Sequence, residues 1–375
     1  MNNVVIVGFK RSAFTPAHKG QLKTVRPDDL LAQVVTSLVE STRVNPADIE
    51  DLIVGCAFPE GEQGFNIARV VVHLANLPLT VAGMTINRFC GSSMQAIHSA
   101  AGAIQMNAGE VFICAGVESM SRIPMGGYNF LPNPELYQRY PQAYISMGET
   151  AENLAKAYQI SRAEQEAFAL LSQQKAYAAQ QQGHFSEEIA IVNNNIQLDG
   201  CIRPDTNAAA MAQLPLAFAA HGTVTAATAS PLTDGAAAVL VCSEAYANAH
   251  HLQPLARIKA IAVSACAPEI MGIGPVAASQ KALTRAGLRL ADIDLVELNE
   301  AFAAQALAVL KDLPVAMAKV NVDGGAIALG HPLGATGARL VGKAASLLQR
   351  SGRQYALATQ CIGGGQGIAT VLEAL

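Results

Sequence analysis

Four segments of this chain set side chains able to do chemistry at the ends of regular elements. In Phe89-Cys90-Gly91-Ser92-Ser93-Met94-Gln95-Ala96-Ile97 a strand ends near Asn87 and a helix of small and apolar residues begins. Cys90 then falls at or just before a helix amino terminus, where unpaired N–H groups and the dipole favour an anion. Such a position can hold a thiol below its usual ~8.5 and make it nucleophilic. The plain alternative is a core cysteine in a Gly/Ser turn. The stretch from Asp323 to Arg339 is rich in glycine and sets one imidazole, His331, between Gly330 and Pro332. It lacks the lysine of a GxxxxGK[ST] phosphate loop, and no GxGxxG follows a strand. For His331 a solvated or capping role is the alternative, and the other seven histidines receive only that reading. Gln360-Cys361-Ile362-Gly363-Gly364-Gly365-Gln366-Gly367 reads as a strand entering a glycine loop. Amides freed by glycine can approach a ligand as an oxyanion hole requires; a tight hairpin before the last strand is the alternative. In Glu297-Leu298-Asn299-Glu300-Ala301-Phe302, Asn299 sits at a strand–helix junction and alone would pass as an N-cap. Taken together, the four supply a nucleophile, a base, a second thiol and amide donors.

The elements that must position these groups alternate. Val4–Val7, Leu52–Val54, Val111–Ala115, Ala238–Cys242, Leu295–Leu298, Tyr355–Thr359 and Ile368–Leu372 read as short buried strands. Leu30–Glu40, Ser93–Asn107, Arg162–Gln182, Ala278–Ala286 and Gly337–Gln349 read as helices. Alternation of this kind predicts an α/β architecture with mostly parallel pairing. The pattern also repeats. A helix runs into Ala47-Asp48-Ile49 in the first half and into Ala291-Asp292-Ile293 in the second. Each unit is followed by an Asn-bearing strand end (Asn87, Asn321), a small-residue helix and a strand, as a duplicated unit predicts. Duplication would bring the reactive ends to one face, where open α/β sheets place their sites. From about Glu118 to Ser230 the composition shifts to Pro-rich turns, a Gln/Ala-rich helix and Asn193-Asn194-Asn195, which reads as an excursion from the core.

Composition narrows the function. Of 375 residues 51% are hydrophobic and 14% charged, against roughly 25% charged in a typical soluble domain. Net charge is −4 and no Lys/Arg run appears, so nucleic acid and anionic membranes are poor partners. The uncharged stretches are broken by Gly, Pro and polar residues, so none reads as a membrane span. The amino terminus follows neither a signal-peptide nor a transit-peptide plan. Seven scattered cysteines without a CxxC pair argue against a disulfide framework and a zinc site, and fit a reducing cytoplasm.

Over essentially its whole length the sequence resembles the thiolase family. The carrying motifs, in order, are Asn87-Arg88-Phe89-Cys90-Gly91-Ser92-Ser93-Met94-Gln95-Ala96, Asn299-Glu300-Ala301-Phe302, Gly330-His331-Pro332-Leu333-Gly334 and Cys361-Ile362-Gly363-Gly364-Gly365. The first looks most like the 3-ketoacyl-CoA thiolases of fatty-acid β-oxidation. The resemblance implies duplicated βαβαβαββ halves in a five-layer αβαβα core with an inserted loop domain. Its divisions here would be 1–118 with 231–254, 119–230, and 255–375. It implies ping-pong thiolysis of 3-ketoacyl-CoA by CoA to acetyl-CoA and a shortened acyl-CoA, with no permanently bound cofactor. Cys90 would be the acyl nucleophile, His331 its base and an oxyanion-hole donor, and Cys361 the acid/base. Asn299 would hold a water of one oxyanion hole, and the Cys90 and Gly363 amides would form the other. Arg203 would face the CoA nucleotide and Ser230 its pantetheine arm. The family's partners imply a homodimer at least, with a tetramer or a hydratase/dehydrogenase subunit as further assemblies.

Ser146-Met147-Gly148 stands where many short-chain thiolases read His-Met-Gly, and the segment Ser121–Ser146 is short. Both favour degradative, longer-chain substrates. Thr225–Ser230 lacks the family's usual Gly-Asn. Three other readings compete: condensation of two acetyl-CoA to acetoacetyl-CoA, a cysteine hydrolase, and a non-catalytic acyl-CoA-binding protein. The hydrolase leaves Cys361 and the tandem glycines unexplained.

Overall fold

A computed structural model describes residues 2–375. Its strands are β1 (Val4–Arg11), β2 (Thr15–Pro16), β3 (Asp51–Gly55), β4 (Ala82–Ile86), β5 (Val111–Ser119), β6 (Thr233–Ser243), β7 (Ala256–Ala265), β8 (Leu295–Leu298), β9 (Tyr355–Ile362) and β10 (Gln366–Glu373). They follow the order β4-β3-β5-β6-β1-β7-β10-β9-β8, with β2 attached to β6. The first half, β4-β3-β5-β6-β1, is mirrored by β7-β10-β9-β8, where a Val296–Val320 bridge stands in for the fifth strand. Among the described residues the strand ladder between the halves is short, Val5–Arg257 and Ile6–Ala256. The repeated Ala-Asp-Ile units form matching single turns, Pro46–Asp48 and Leu290–Asp292, just before β3 and β8.

Pairing is not mostly parallel as expected. Only β3–β4, β3–β5 and β8–β9 run parallel; β5–β6, β6–β1, β1–β7, β7–β10 and β10–β9 are antiparallel. In the second half the physical reason is that the last strand returns beside its predecessor without a crossover helix; in the first, β6 comes back antiparallel beside β5 after the long excursion 120–232. β9 and β10 are joined by the glycine loop alone, and a loop that short can join only antiparallel strands.

Alternate side chains of the strands feed three separate cores. Leu31, Val34 and Leu38 of the helix Pro27–Thr42 and Val71 of Ile67–Leu74 pack on Val54, Ile113 and Leu240. Ala282 of Gly274–Ala286 and Val309 of Ala303–Asp312 pack on Leu298, Leu357 and Val371. Between these lie Ser92–Gln105 and Leu333–Ser351, whose Met94, Ile97, Leu340 and Val341 meet Ile53 and Val239 of one half and Ala358 and Ile368 of the other. The result is helix, sheet, helix, sheet, helix. A helix so placed buries most of its surface, in keeping with the lack of Asp, Glu, Lys and Arg over 89–109, and reaches solvent towards its far end at Gly102 and Gln105. The two central helices approach so closely that a Cβ on Gly337 would lie 2.3 Å from Met94 N, and β5 lies so close to the second that a Cβ on Gly116 would lie 2.1 Å from Gly334 O.

The second central helix begins at Leu333, one turn before the expected Gly337. Gly334 fits in that turn because its backbone packs against Val117 O, leaving no room for a side chain. β7, Ile67–Leu74, Met147–Ala157 and Ala303–Asp312 are additional to the elements read from the sequence. In β7, Arg257 and Lys259 interrupt the apolar run. Residues 120–232 hold the helices Pro134–Arg139, Met147–Ala157, Arg162–Gln181 and Ala208–Ala212 and add only β-bridges. No helix among the described residues is long and apolar enough to cross a membrane.

This segment is fastened to the core by buried charge. The guanidinium of Arg11 donates to Glu188 at 2.8 Å and to both Asp199 oxygens at 2.7 and 2.8 Å, while Lys343 reaches Glu188 at 2.9 Å and Asp323 at 2.7 Å. Breaking a buried pair from one side strands the other charge, at a cost of about 3–5 kcal/mol. Arg11→Met is expected to lower unfolding stability by about that amount, measured as the shift of a urea transition. A loss on the order of a surface pair, below ~1 kcal/mol, would contradict this account of the fastening.

Candidate active site

The turn that carries Cys90 is held by its own side chains. Asn87 Nδ2 donates to Ala57 O at 2.9 Å and its Oδ1 accepts from Phe89 N at 2.7 Å. Ser92 Oγ accepts from Arg88 N at 2.9 Å and donates to Phe89 O at 2.6 Å. Phe89 is driven to φ 42°, a left-handed conformation that a bulky residue adopts only when its surroundings impose it. Cys90 follows it, buried, with Gly91 as the N-cap of Ser92–Gln105. Around Cys90 pack Ala17, Ala57, Met120 and Leu333.

The second half arrives from the glycine loop. The Gly363 amide faces the Cys90 sulfur, as does the N–H of Cys90 itself. The direction expected for this thiol is reversed: burial pushes it up to about 11, outweighing both N–H groups, with the charge of Glu118 adding to the rise. Cys361, at the end of β9, is raised further still, first by burial and then by Cys90 beside it. The glycine loop is therefore a hairpin turn and an amide donor at once.

His331 is neither solvated nor a cap. It is buried, and Pro332 is the N-cap. Thr336 Oγ1 lies 2.6 Å from His331 Nδ1 and donates its own proton to Pro332 O at 2.9 Å, so it must accept from Nδ1–H. Nε2 is left as the basic nitrogen, with Asn299 Nδ2 at 3.3 Å. Burial, reinforced by the charge of Arg339, holds the ring at about 3 and hence neutral. Asn299 is no N-cap: the following helix starts at Ala303 behind Phe302, and the side chain of Asn299 is given to His331.

Ser230 is bound through its N–H to Ala301 O at 2.9 Å, beside the Asn299 segment. Arg203 stands outside the group; its backbone N–H is taken by Gln173 Oε1 at 2.8 Å and its side chain is exposed. Sequence reasoning missed Glu118, the buried carboxylate that ends β5. It accepts from Ala57 N at 2.9 Å, Phe58 N at 3.3 Å, Gln63 Nε2 at 2.8 Å and Gly334 N at 2.8 Å, tying the loop after β3 to the turn after His331. A lone carboxyl closing the uncharged run Val111–Val117 was the available signal. Thr336 carried none. Among the described residues all seven cysteines are free, and no group of three His, Cys, Asp or Glu could hold a metal.

A duplicated α/β frame that gathers two thiols, a neutral imidazole and a glycine-loop amide defines a class, the enzymes that move acyl groups through cysteine. The model of the thiolase N-terminal domain matches residues 4–245 and that of the thiolase C-terminal domain 252–374. The chain belongs to the thiolase family. It is 48% identical over 389 residues to a 3-ketoacyl-CoA thiolase of Yersinia pestis (strain Pestoides F) and 45% identical to one of Bacillus subtilis (strain 168), in both cases over 100% of each chain. Human mitochondrial 3-ketoacyl-CoA thiolase, solved in complex with CoA, superposes with a TM-score of 0.92 at 39% identity, covering 100% of this chain and 98% of that one.

The raised thiol makes a kinetic statement. In the free enzyme, alkylation of Cys90 by iodoacetamide, followed by peptide mass analysis, should climb about tenfold per pH unit from pH 7 towards 10, because the thiolate fraction does. A plateau below pH 8 would show that Cys90 already rests as a thiolate.

Proposed function

We propose that this enzyme cleaves 3-ketoacyl-CoA with CoA, giving acetyl-CoA and a shortened acyl-CoA in fatty-acid β-oxidation. The observation that carries the reading is the Gly363 amide set on the Cys90 sulfur with Cys361 alongside. Cys90 gives its proton to His331 Nε2 as its sulfur attacks the 3-keto carbon. The oxyanion formed accepts from the Cys90 and Gly363 amides, donors typically worth ~3 kcal/mol of barrier each. The C2–C3 bond then breaks. The enolate oxygen of departing acetyl-CoA accepts from His331 Nε2–H and from a water held by Asn299, while Cys361 Sγ–H protonates C2. In the second half, the Cys361 thiolate takes the proton of the incoming CoA thiol. The CoA sulfur attacks the thioester, and Cys90 leaves and recovers its proton from His331. A thiol is a good acyl acceptor, and a second thiol keeps the proton separate from it.

The segment 119–230 is the CoA-binding loop domain in this reading, with Arg203 towards the nucleotide and Ser230 towards the pantetheine arm. The bond from Ser230 N to Ala301 O, two residues after Asn299, supports that assignment. The thiolase halves are then 1–118 with 231–254, and 255–375. Seven free thiols fit a reducing cytoplasm. Mixing the enzyme with a 3-ketoacyl-CoA should give an intact-mass adduct of the shortened acyl group on Cys90 that vanishes on adding CoA. Cys90→Ser should abolish both. No adduct on the wild-type protein refutes the mechanism, and turnover confined to acetoacetyl-CoA refutes the β-oxidation role.

The proposal includes a homodimer built on the edge strand β4. That strand pairs with β3 on one side only, and it is largely exposed. Beside it Phe65 is 96% exposed at φ 50° and Leu79 76% exposed. A groove of about 430 Å³ runs between Phe65, Pro59 and Met84. An unpaired strand edge flanked by apolar side chains is a template for a second copy. Light scattering should give twice the chain mass for the wild type and a monomer for Phe65→Asp combined with Met84→Glu. A monomeric wild type would remove this proposal.

A further inference from the structure

We propose that Gln360 and Gln366, which bracket the loop Cys361–Gly365, are positioning residues that hold the Gly363 amide in register with the Cys90 sulfur; this rests on the thiolysis reading above. Gln360 is wholly buried in β9, and its side-chain Nε2 donates to the backbone carbonyl of Cys90. Among the described residues that carbonyl has no other partner in the turn: Ser92 N goes to Phe89 O and Gln95 N to Gly91 O. The orientation of the amide is fixed by chemistry, since a carbonyl accepts and cannot donate. Its Oε1 is then left buried without a partner. A buried orphan acceptor is a cost that packing alone would not select on a largely apolar strand. What the amide achieves is a direct tie between the nucleophile's own peptide and the strand that carries Cys361.

The second tie is made one turn further on. Arg88 Nη1 donates to Gln366 Oε1 at 2.9 Å, and Gln366 Nε2 donates to Gly363 O at 3.4 Å. Gly363 thus has its carbonyl held from the nucleophile's side of the molecule while its N–H faces the sulfur. Glycines 364 and 365, at φ 78° and 81°, make the turn; Gly365 O is held by Cys266 N at 2.7 Å, and the glutamines hold the Cys361–Gly363 side of the loop. The two glutamines are hydrogen-bonded to both sides of the junction, and the halves of the fold meet there without a covalent link. An oxyanion donor works only when it is already in place as charge develops, so a loosened loop should cost turnover more than binding.

The test compares Gln360→Met, which keeps the volume and removes the donor, with Gln360→Glu, which donates only while its carboxyl is protonated. For Gln360→Met kcat should fall about 10- to 100-fold with KM within about twofold. Gln360→Glu should approach wild-type kcat at the acid end of the working range and lose it as pH rises, a dependence the wild type lacks. A Gln360→Met enzyme with kcat within twofold of wild type, or a Glu variant with the wild-type pH profile, overturns the proposal. If Gln360→Met fails to fold by circular dichroism, Gln366→Met at its half-buried site takes its place, with a several-fold drop in kcat expected and an unchanged kcat overturning it. Acyl-adduct mass on the wild type separates the two readings. An adduct with indifferent variants removes the glutamines' role alone, whereas no adduct removes the thiolysis mechanism beneath it.

Discussion

Everything in this molecule follows from the close approach of two helix amino termini between two sheets. The Ser92–Gln105 and Leu333–Ser351 helices meet where Gly337 abuts Met94, and Gly116 of β5 abuts Gly334 at the start of the second. Any side chain at these positions would strike backbone, so the distance between the termini is set by the absence of Cβ atoms. Cys90 lies just before one terminus and His331 just before the other. Glu118 completes the junction by accepting amides from both sides. The site is less a pocket lined by residues than the place where two halves of a duplicated fold are forced together.

The same constraint explains the distribution of charge. Helices covered on every side cannot carry ordinary Lys, Arg or Glu, and the few that occur are paired within the core. Arg339 is matched to Glu297 at 2.8 Å, and Lys343 to Glu188 and Asp323. Glu297, pushed up to about 7 by burial against the pull of Arg339 and Lys343, shows how dear such a location is. These pairs contribute little net stability, but each fixes a register that apolar packing would leave open. Arg11 does this for the inserted segment, and Arg339 for the strand leading to Asn299.

Legibility in the sequence followed the same division. Most of the strands, the long helices, the duplication and the chemical segments were readable because each is a local pattern: an apolar run, a 3.6-residue period, a glycine beside a reactive atom; β7, interrupted by Arg257 and Lys259, was not. Pairing direction was not, because β9 and β10 look like any two buried strands until the three residues between them are seen to allow no crossover. The ionisation of Cys90 was misread for a similar reason. The helix terminus next to it is visible in the sequence, whereas the burial by Ala57, Met120 and Leu333 that outweighs it is assembled from distant parts of the chain. Thr336, Glu118 and Gln360 share this property, since each gains its meaning from a partner that folding brings from elsewhere.

Burial also dictates how the site must work. With Cys90 raised and His331 lowered, the resting pair is a neutral thiol and a neutral imidazole, and no ion pair waits in the dry interior. Charge separation becomes favourable, on the proposed mechanism, only when a carbonyl oxygen lies on the amides of Cys90 and Gly363, because that oxygen then carries the negative charge. On the proposed mechanism the substrate therefore supplies what makes the nucleophile strong. A permanently ionised thiol beside a second cysteine would be open to oxidation; one that ionises only against a bound acyl group is not. The cost is dependence on geometry, since the gain from the oxyanion donors must cover the whole proton transfer. That dependence gives physical sense to a buried glutamine with an unpaired oxygen, held on the strand next to the second thiol, spending stability on the position of one peptide.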